Sequence, residues 1–312
     1  MIKMFEPLFP IQKPDLFALY NAAVQSFWTV NEVDLEKDEL DKLSEVERSI
    51  VSKILSFFAA SDIIVCENIM QSLYRDCVYA EAKQFYSIQM GMESVHTHMY
   101  SLLIERYYGC GETAKTLFDG IETNEHIRNK AEFCMKYMLP DMPMSQRLVA
   151  YAAVEGIFFC SSFATIYYFK KRGVLPGLTF SNELIARDES LHAQFSCMLY
   201  KQQVHDKILT ALTQEIVVQI IEDACDHETR FVSDVLKDPV LGFNCEEMTQ
   251  YVKYMGDYLL VMLGFGKFYN VPNPFDWMDL QALQSKANFF ETRVSEYSKP
   301  KSKRIFSLDE DF

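Results

Sequence analysis

The sequence has few residues that break helices and no stretch that would serve as a flexible linker. Only 11 glycines and 10 prolines occur in 312 residues, and no low-complexity tract or long Ser/Gly/Pro run interrupts the chain. Long amphipathic segments dominate instead. The composition therefore predicts a mostly helical protein that buries a large core in one or two domains.

Paired cysteines, a leader segment and excess positive charge are also missing. The eight cysteines are scattered and form no Cys-x-x-Cys motif, and no basic-then-apolar leader opens the chain. We therefore expect reduced thiols in a cytoplasmic protein. The formal net charge of −14 argues against a general nucleic-acid-binding surface, so no nucleic-acid partner is expected.

One apolar run, from Ala152 to Phe169, is about as long as a minimal membrane span. It contains Glu155, however, and ends in the basic cluster 170–172. A helix that is apolar on all sides is also what the centre of a large soluble bundle requires. We therefore predict a core helix and no membrane partner.

Several helix boundaries can be predicted from capping and breaking residues. Ser44 and Glu47 form a capping-box pattern and predict a helix that continues to about Arg75. Further predicted segments follow the same logic. They are a short helix that includes Phe27 and Trp28, longer helices over about 80–108 and 113–138, an apolar helix that starts at Ser145, a helix that starts at Ser181, helices over about 207–236 and 245–263, and a last short helix beyond the prolines at 272 and 274.

The most informative pattern is a Glu-x-x-His motif that occurs twice. Each motif follows, by 31 or 34 residues, a carboxylate within an apolar run. The two sets are Asp62 with Glu93 and His96, and Glu155 with Glu189 and His192. The same pattern, a carboxylate followed by Glu-x-x-His, thus occurs twice. It predicts a two-metal site formed by four carboxylates and two imidazoles that face one bundle core.

Helix geometry and the cost of burying charge support the metal site. Residues i and i+3 share a helix face, so each Glu and His pair can reach the same metal or bridge two. Without a metal, each of the four buried carboxylates would need its own hydrogen-bond or ion-pair partner. Carboxylate and imidazole ligands favour iron or manganese. Six ligands shared by two ions leave open positions, which indicate oxygen chemistry.

Tyr100 lies one helical turn beyond His96, about 6 Å away along the axis. The chain has 17 tyrosines, so an ordinary core tyrosine is the simple interpretation. Beside a metal pair that activates oxygen, Tyr100 becomes a candidate for one-electron oxidation.

These residues lie in segments that resemble the small, radical-generating subunit of class I ribonucleotide reductase, in its eukaryotic and viral form. The matching segments occur in the family's order along nearly the whole chain. They are Ala59–Asp62, Met92–His96, Met99–Leu103, Ala152–Phe159, Leu178–Glu183, Arg187–His192 and Asn288–Val294.

The resemblance implies an all-α, ferritin-like bundle with additional helices and a dinuclear metal site in its core. It implies that the six residues hold two iron ions in an Fe–O–Fe centre, with manganese as the alternative. It also implies that this centre activates O2, that Tyr100 carries a stable radical, and that apolar residues shelter it. The sheltering residues would be Phe159, Phe163 and Ile185.

The resemblance further implies a path for the radical. Trp28, Asp188 and Tyr297 match residues that carry it from the metal centre to a large subunit, with Arg187 in support. Independently, a metal-bound imidazole normally donates its second nitrogen to a carboxylate, which is the simpler role for Asp188. Without the resemblance, Tyr297 would be taken for an exposed tail residue.

The partners and domains follow from the same resemblance. We expect a homodimer with one catalytic domain over residues 1–298 and a flexible tail over 299–312. The segment from Phe306 to Phe312 places apolar residues among acids and resembles the tail that docks the large subunit. That partner would reduce ribonucleoside diphosphates to deoxyribonucleotides, in the cytoplasm, or in the host cytoplasm for a viral protein.

Three residues depart from the family pattern, and two other functional classes stay open. Ile63 and Cys66 replace residues that are usually Gly and Asn, and His98 stands where an acid is common. Another ferritin-like diiron oxidase would share the metal ligands but would not need Trp28, Tyr297 or the acidic tail. A non-catalytic binding protein with a structural metal centre is the third possibility.

Overall fold

The computed structural model of the chain describes residues 7–139, 141–238 and 244–275. Those residues form helices joined by turns, without a β-strand, so the predicted all-α class is confirmed. The helices are α1 (Pro14–Ser26), α2 (Glu45–Asn68), α3 (Ala80–Tyr108), α4 (Glu112–Phe118), α5 (Gly120–Thr123), α6 (Glu125–Met138), α7 (Met144–Ala153), α8 (Cys160–Lys171), α9 (Pro176–His205), α10 (Gln214–Val235) and α11 (Cys245–Leu263).

Four helices make the centre of the bundle. Helix α2 packs against α3, α3 against α9, and α9 against α7. Helix α1 covers α3 and α9, while α10 packs on α6, α7 and α11. This is the ferritin-like arrangement that the family resemblance implied, in which side chains from facing helices meet in the bundle core.

Two helices are extended by a wider π-turn. Helix α2 continues through Ile69–Leu73 and Tyr74–Asp76, and α7 continues through Val154–Phe158. Phe159 then separates the second π-turn from α8. Such turns insert an extra residue into the helical ladder and are frequent at functional sites. Here the second one contains Glu155.

Side-chain caps explain where several helices begin. Ser44 accepts from the backbone N–H of Glu47, and the Glu47 side chain accepts from the backbone of Ser44, which confirms the predicted capping box. Asp38 accepts from the backbone N–H of Gly177 at 2.7 Å and of Leu178 at 2.9 Å. Because this carboxylate caps it, α9 begins at Pro176 rather than near residue 181 as predicted.

Gly177 is required by this close approach. A Cβ atom on Gly177 would come within 2.7 Å of the Asp34 carbonyl oxygen and 2.8 Å of the Asp38 carboxylate. Any larger residue would therefore push the loop before α2 away from the start of α9.

Three further boundary predictions were wrong. Phe27 and Trp28 follow α1 and are not part of it. The stretch 113–138 is three helices, because Asn124 caps a new one by accepting from the backbone N–H of His126 and Ile127. Residues 207–213 are not helical, since Lys207 takes a left-handed conformation and ends the previous helix.

Within the described part of the chain, two helices are long and apolar enough to cross a membrane, by length and composition alone. In Met144–Lys171 the most apolar window is 94% buried, as expected for a core helix. The second, Glu45–Asp76, is 61% buried over its window, and sequence analysis had not singled it out. Burial of this degree is what the inner helices of a bundle show.

Candidate metal centre

The structure brings all six predicted ligands together in the core. They come from α2, α3, the π-turn after α7, and α9, and none is more than 3% exposed. They are Asp62, Glu93, His96, Glu155, Glu189 and His192. Both Glu-x-x-His motifs therefore face inward on helices that pack against each other, as the i and i+3 spacing predicted.

The ligand atoms form two groups that share one residue. In the first group, Asp62, Glu93 and His96 offer atoms that all lie within 4.8 Å of one another. The second group, by the same measure, is Glu93 with Glu155, Glu189 and His192. Two overlapping groups of this kind match the donor set of two neighbouring ions that share a carboxylate.

Both imidazoles direct the same ring nitrogen towards the two motif glutamates. His96 Nδ1 lies 3.3 Å from Glu93 Oε2 and 3.0 Å from Glu189 Oε1. His192 Nδ1 lies 3.0 Å from Glu93 Oε1 and 3.1 Å from Glu189 Oε2. Each glutamate thus lies within 3.3 Å of both imidazoles.

Burial and mutual repulsion change the acidity of these groups. Burial raises the pKa of Asp62 well above its usual range, and the charge of Glu93 raises it further. The pKa of Glu155 is raised by burial and then by Glu189 and Glu93. Protons therefore take the place of cations when no metal is bound.

The pKa values of the two histidines and of Glu189 shift in the direction that favours their charged forms. Burial alone would lower the pKa of His192, but the charges of Glu93 and Glu189 outweigh it and raise the pKa to about 9. Burial also opposes the charged form of His96, yet hydrogen bonds to Asp188, Glu189 and Glu93 raise its pKa overall. Burial raises the pKa of Glu189, whereas His192 and other hydrogen-bond partners lower it overall.

Two carboxylate oxygens test whether the site fits a metal pair. Asp62 Oδ2 and Glu155 Oε2 are buried and have no hydrogen-bond partner among the described residues. An unpaired buried carboxylate oxygen is costly unless a cation binds it. One such oxygen lies in each of the two groups, and the oxygen and imidazole donors suit iron or manganese. The residues therefore fit two such ions.

Sequence analysis missed the polar residues that support Glu155. The side-chain amide of Gln89 donates to Glu155 Oε1 at 2.9 Å and to the Tyr151 hydroxyl at 2.8 Å. Tyr151 precedes Glu155 by four positions and is fully buried. Gln89 precedes Glu93 by four positions, so the i−4 spacing on each ligand helix was the available signal.

Tyr100 is buried in an aromatic environment beside the first group. Its ring stacks on Phe58 with centroids 4.6 Å apart. Its hydroxyl has no hydrogen-bond partner among the described residues, and burial followed by the charge of Asp62 raises its pKa strongly. Phe58 was not predicted from the sequence. The predicted sheltering residues Phe159 and Phe163 pack against Phe58, with ring centroids 6.0 and 5.5 Å from that of Phe58.

A hydrogen-bonded chain leads from the metal centre towards α1. His96 Nε2 lies 3.1 Å from Asp188 Oδ2, and Trp28 Nε1 donates to that same oxygen at 2.8 Å. Arg187 donates to Asp188 Oδ1 at 3.0 Å and to the Ser26 carbonyl oxygen at 2.6 Å. Trp28 and Asp188 are therefore in contact with each other, and Asp188 also contacts His96 and the supporting Arg187; Trp28 itself is buried.

The remaining predictions concern single positions. Tyr297, the segment Asn288–Val294 and the tail Phe306–Phe312 lie outside the described residues. Of the departures from the family pattern, Ile63 and His98 are exposed, whereas Cys66 is half-buried. Burial and the nearby carboxylates raise the pKa of Cys66 to about 12, so the thiol is protonated and unreactive at neutral pH.

Comparison with known proteins identifies the family of the chain. The family model described as "Ribonucleotide reductase, small chain" matches residues 6–274. The chain belongs to this family. A ribonucleoside-diphosphate reductase small chain from Nicotiana tabacum is 44% identical over 98% of this chain and 94% of its own length. The corresponding Variola virus protein is 45% identical over 98% and 96%.

Solved structures of the family share the fold. The ribonucleotide reductase Rnr4 homodimer from Saccharomyces cerevisiae has a TM-score of 0.78 at 26% identity and covers 89% of both chains. The R2 subunit from Clostridium botulinum has a TM-score of 0.80 at 23% identity, over 88% of this chain and 90% of its own. The predicted eukaryotic and viral resemblance and the ferritin-like fold are thus confirmed.

Proposed function

We propose that the chain is the small subunit of a ribonucleoside-diphosphate reductase and generates a tyrosyl radical at Tyr100. The observation that carries this proposal is the convergence of six buried carboxylate and imidazole ligands beside one buried phenol that has no hydrogen-bond partner among the described residues. The radical would then pass to a separate large subunit, which reduces ribonucleoside diphosphates to deoxyribonucleotides for DNA synthesis.

The six residues would hold two metal ions. Asp62 and His96 would serve one ion, Glu155 and His192 the other, with Glu93 and Glu189 between them. When bound, the pair supplies the O2-dependent oxidising power that removes one electron from Tyr100. We favour iron, while manganese has the same ligand preferences, and a solved structure of the same fold, from Streptococcus sanguinis, is a dimanganese(II)-NrdF.

The chain's own residues would protect the oxidised phenol. Phe58 covers the Tyr100 ring, and Phe159 and Phe163 lie behind Phe58. An apolar wall excludes water and reductants, and it offers no group that would quench the radical. Tyr100 is only 2% exposed, so any reductant in solution must act through the protein.

The radical would leave through His96, Asp188 and Trp28, and then through Tyr297. The first three are already joined by hydrogen bonds. Such contacts let an electron and a proton move without large rearrangement. Arg187 would hold the Asp188 carboxylate in place while Trp28 exchanges its electron.

The assembly follows from the same proposal. The chain would act as a homodimer, as the related Rnr4 protein does in its solved structure. The tail from Phe306 to Phe312 would dock the large subunit in the cytoplasm. This segment places apolar residues among acids, and short segments that bind in a groove of a partner are a recurring mode of recognition.

Electron paramagnetic resonance tests the proposal. Metal-free protein is mixed with ferrous iron and O2, and the spectrum is recorded for the wild type, Tyr100→Phe and Tyr86→Phe. Tyr86 is an equally buried phenol outside the ligand set and serves as the matched control. We expect a tyrosyl signal that only Tyr100→Phe removes, with iron binding unchanged. A signal that survives in Tyr100→Phe would contradict the proposal.

A free-standing diiron oxidase is the competing function. It would use the same metal ligands and would be indifferent to Trp28 and to the tail. The Trp28–Asp188–His96 chain favours the reductase, because an oxidase needs no outward path for a radical.

A further inference from the structure

A buried ion pair lies outside the six ligands and the radical path. Lys130 on α6 is 2% exposed, Glu228 on α10 is fully buried, and their charged groups are in contact. Such a pair stabilises a fold little, because the cost of removing both charges from water offsets their attraction. Its presence in the core therefore calls for another role.

The pair contacts the chain on both sides of the break at Phe159. Lys130 Nζ donates to the carbonyl oxygen of Phe158, the last residue of the π-turn, at 3.0 Å. Glu228 Oε1 accepts from the backbone N–H of Ser161, in the first turn of α8, at 3.3 Å, and from the Ser161 hydroxyl. One partner thus binds the end of the π-turn and the other binds the start of the next helix.

Aromatic rings fix the position of the ammonium group. Lys130 Nζ lies 3.7 Å from the ring centroid of Phe57 and 4.0 Å from that of Phe231. Ring faces of this kind attract a cation and replace part of its hydration. The head group therefore has one well-defined place, between two rings, Glu228 and the Phe158 carbonyl oxygen.

The break in the helix at Phe159 is close in sequence to Glu155 and is joined by ring contacts to the surroundings of Tyr100. Glu155 is the second residue of the π-turn, three positions before Phe158. The Phe159 ring packs on Phe58, which in turn covers Tyr100. A shift at the break would therefore move a metal ligand and the wall around the phenol together.

We propose that Lys130 and Glu228 are positioning residues that hold the π-turn, and with it Glu155 and Phe159, in the geometry that the metal centre requires. This inference rests on the proposed function, because it assigns the pair a role towards the metal ions and Tyr100.

The test replaces both charges at once, so that neither is left buried alone. In Lys130→Met/Glu228→Leu the fold should persist, since apolar residues of similar volume often replace buried pairs without loss of stability. We expect the affinity for ferrous iron, measured by competition with a chelator, to fall about tenfold or more. The tyrosyl resonance should also change in line shape, because the Tyr100 environment shifts.

A second ion pair provides the matched control. Lys53 on α2 and Asp234 on α10 are 2.9 Å apart and 29% and 28% exposed. Their side-chain hydrogen bonds join them to each other and to Asn124, and none is made to the π-turn. The variant Lys53→Met/Asp234→Leu should keep the wild-type iron affinity and the wild-type spectrum. If the Lys130 and Glu228 double variant does not fold, Glu228→Gln is measured with the same two readouts and the same expectations.

Wild-type iron affinity and an unchanged spectrum in the folded variant would overturn the inference while leaving the proposed function intact. If the wild-type protein bound no pair of metal ions, the proposed function would fail first, and the inference with it. The wild-type measurement therefore separates the two failures.

Discussion

Trp28 and His96 share one oxygen atom of Asp188. The indole nitrogen donates to Oδ2 at 2.8 Å, and His96 Nε2 lies 3.1 Å from the same oxygen. The two rings are also nearly parallel, with centroids 6.1 Å apart. Trp28, which lies 160 positions before Asp188 in sequence, is thus joined to the metal centre by a single carboxylate.

Removing the indole should separate radical generation from nucleotide reduction. In Trp28→Phe an aromatic ring remains, but the indole N–H that donates to Asp188 is lost. We expect two bound irons and a normal Tyr100 signal, while reduction of ribonucleoside diphosphates with the large subunit falls about 10- to 100-fold. The check is a paired measurement of resonance intensity and turnover. Normal turnover would show that the path does not use Trp28.

Gln89 should control the metal site on the Glu155 side. Gln89→Leu removes the amide that binds both Glu155 and Tyr151, so the carboxylate loses its orientation. We expect iron affinity to fall about 10- to 100-fold, as for other residues that orient ligands. Tyr151→Phe should have a smaller effect, because it keeps the Gln89 bond to Glu155. Equal affinity in wild type and Gln89→Leu, by chelator competition, would contradict this.

The raised pKa of His192 predicts a pH-dependent stability of the metal-free protein. The folded chain holds this proton up to about pH 9, whereas the unfolded chain releases it near 6.5. The stabilisation is therefore complete below 6.5 and is lost as the pH rises to 9. His192 alone should lower the free energy of unfolding by at most about 1.4 kcal/mol per pH unit in that window.

Denaturant unfolding of the chelator-treated protein between pH 6.5 and 9 checks this slope. His192→Gln should reduce it. Metal binding displaces the same proton, so iron affinity should rise with pH over the same range. A stability that rises with pH in the wild type, with no change in His192→Gln, would show that His192 is neutral in the folded protein.

The tail prediction concerns residues beyond those described. Deletion of residues 306–312 should leave iron binding and the Tyr100 signal unchanged, because none of the six ligands lies there. Nucleotide reduction with the large subunit should be lost, and a synthetic peptide of the same seven residues should compete with the full-length chain. Unchanged nucleotide reduction after the deletion would contradict the docking role of the tail.

The sequence predicted that these six side chains face one core, because helical periodicity and the cost of burying charge act locally. The i and i+3 spacing placed Glu93 with His96 on one face, and the capping box at Ser44 located the start of α2. Each of these signals is complete within a few residues of chain.

The parts that were missed depend on contacts between distant segments. No local pattern marks the π-turn around Glu155, which is held by Lys130 and Glu228 from two other helices. Phe58 was not predicted because a phenylalanine in an apolar run does not indicate which residue it will contact in the fold. The start of α9 was misplaced because its cap, Asp38, lies 139 residues earlier in the chain.

The most direct test of the whole account is a crystal structure of the iron-loaded protein with anomalous scattering at the iron edge. The account predicts two peaks, one bound by Asp62 and His96 and one by Glu155 and His192, with Glu93 and Glu189 bridging them. A single peak, or two peaks with any of these six side chains turned away from the ions, would contradict it.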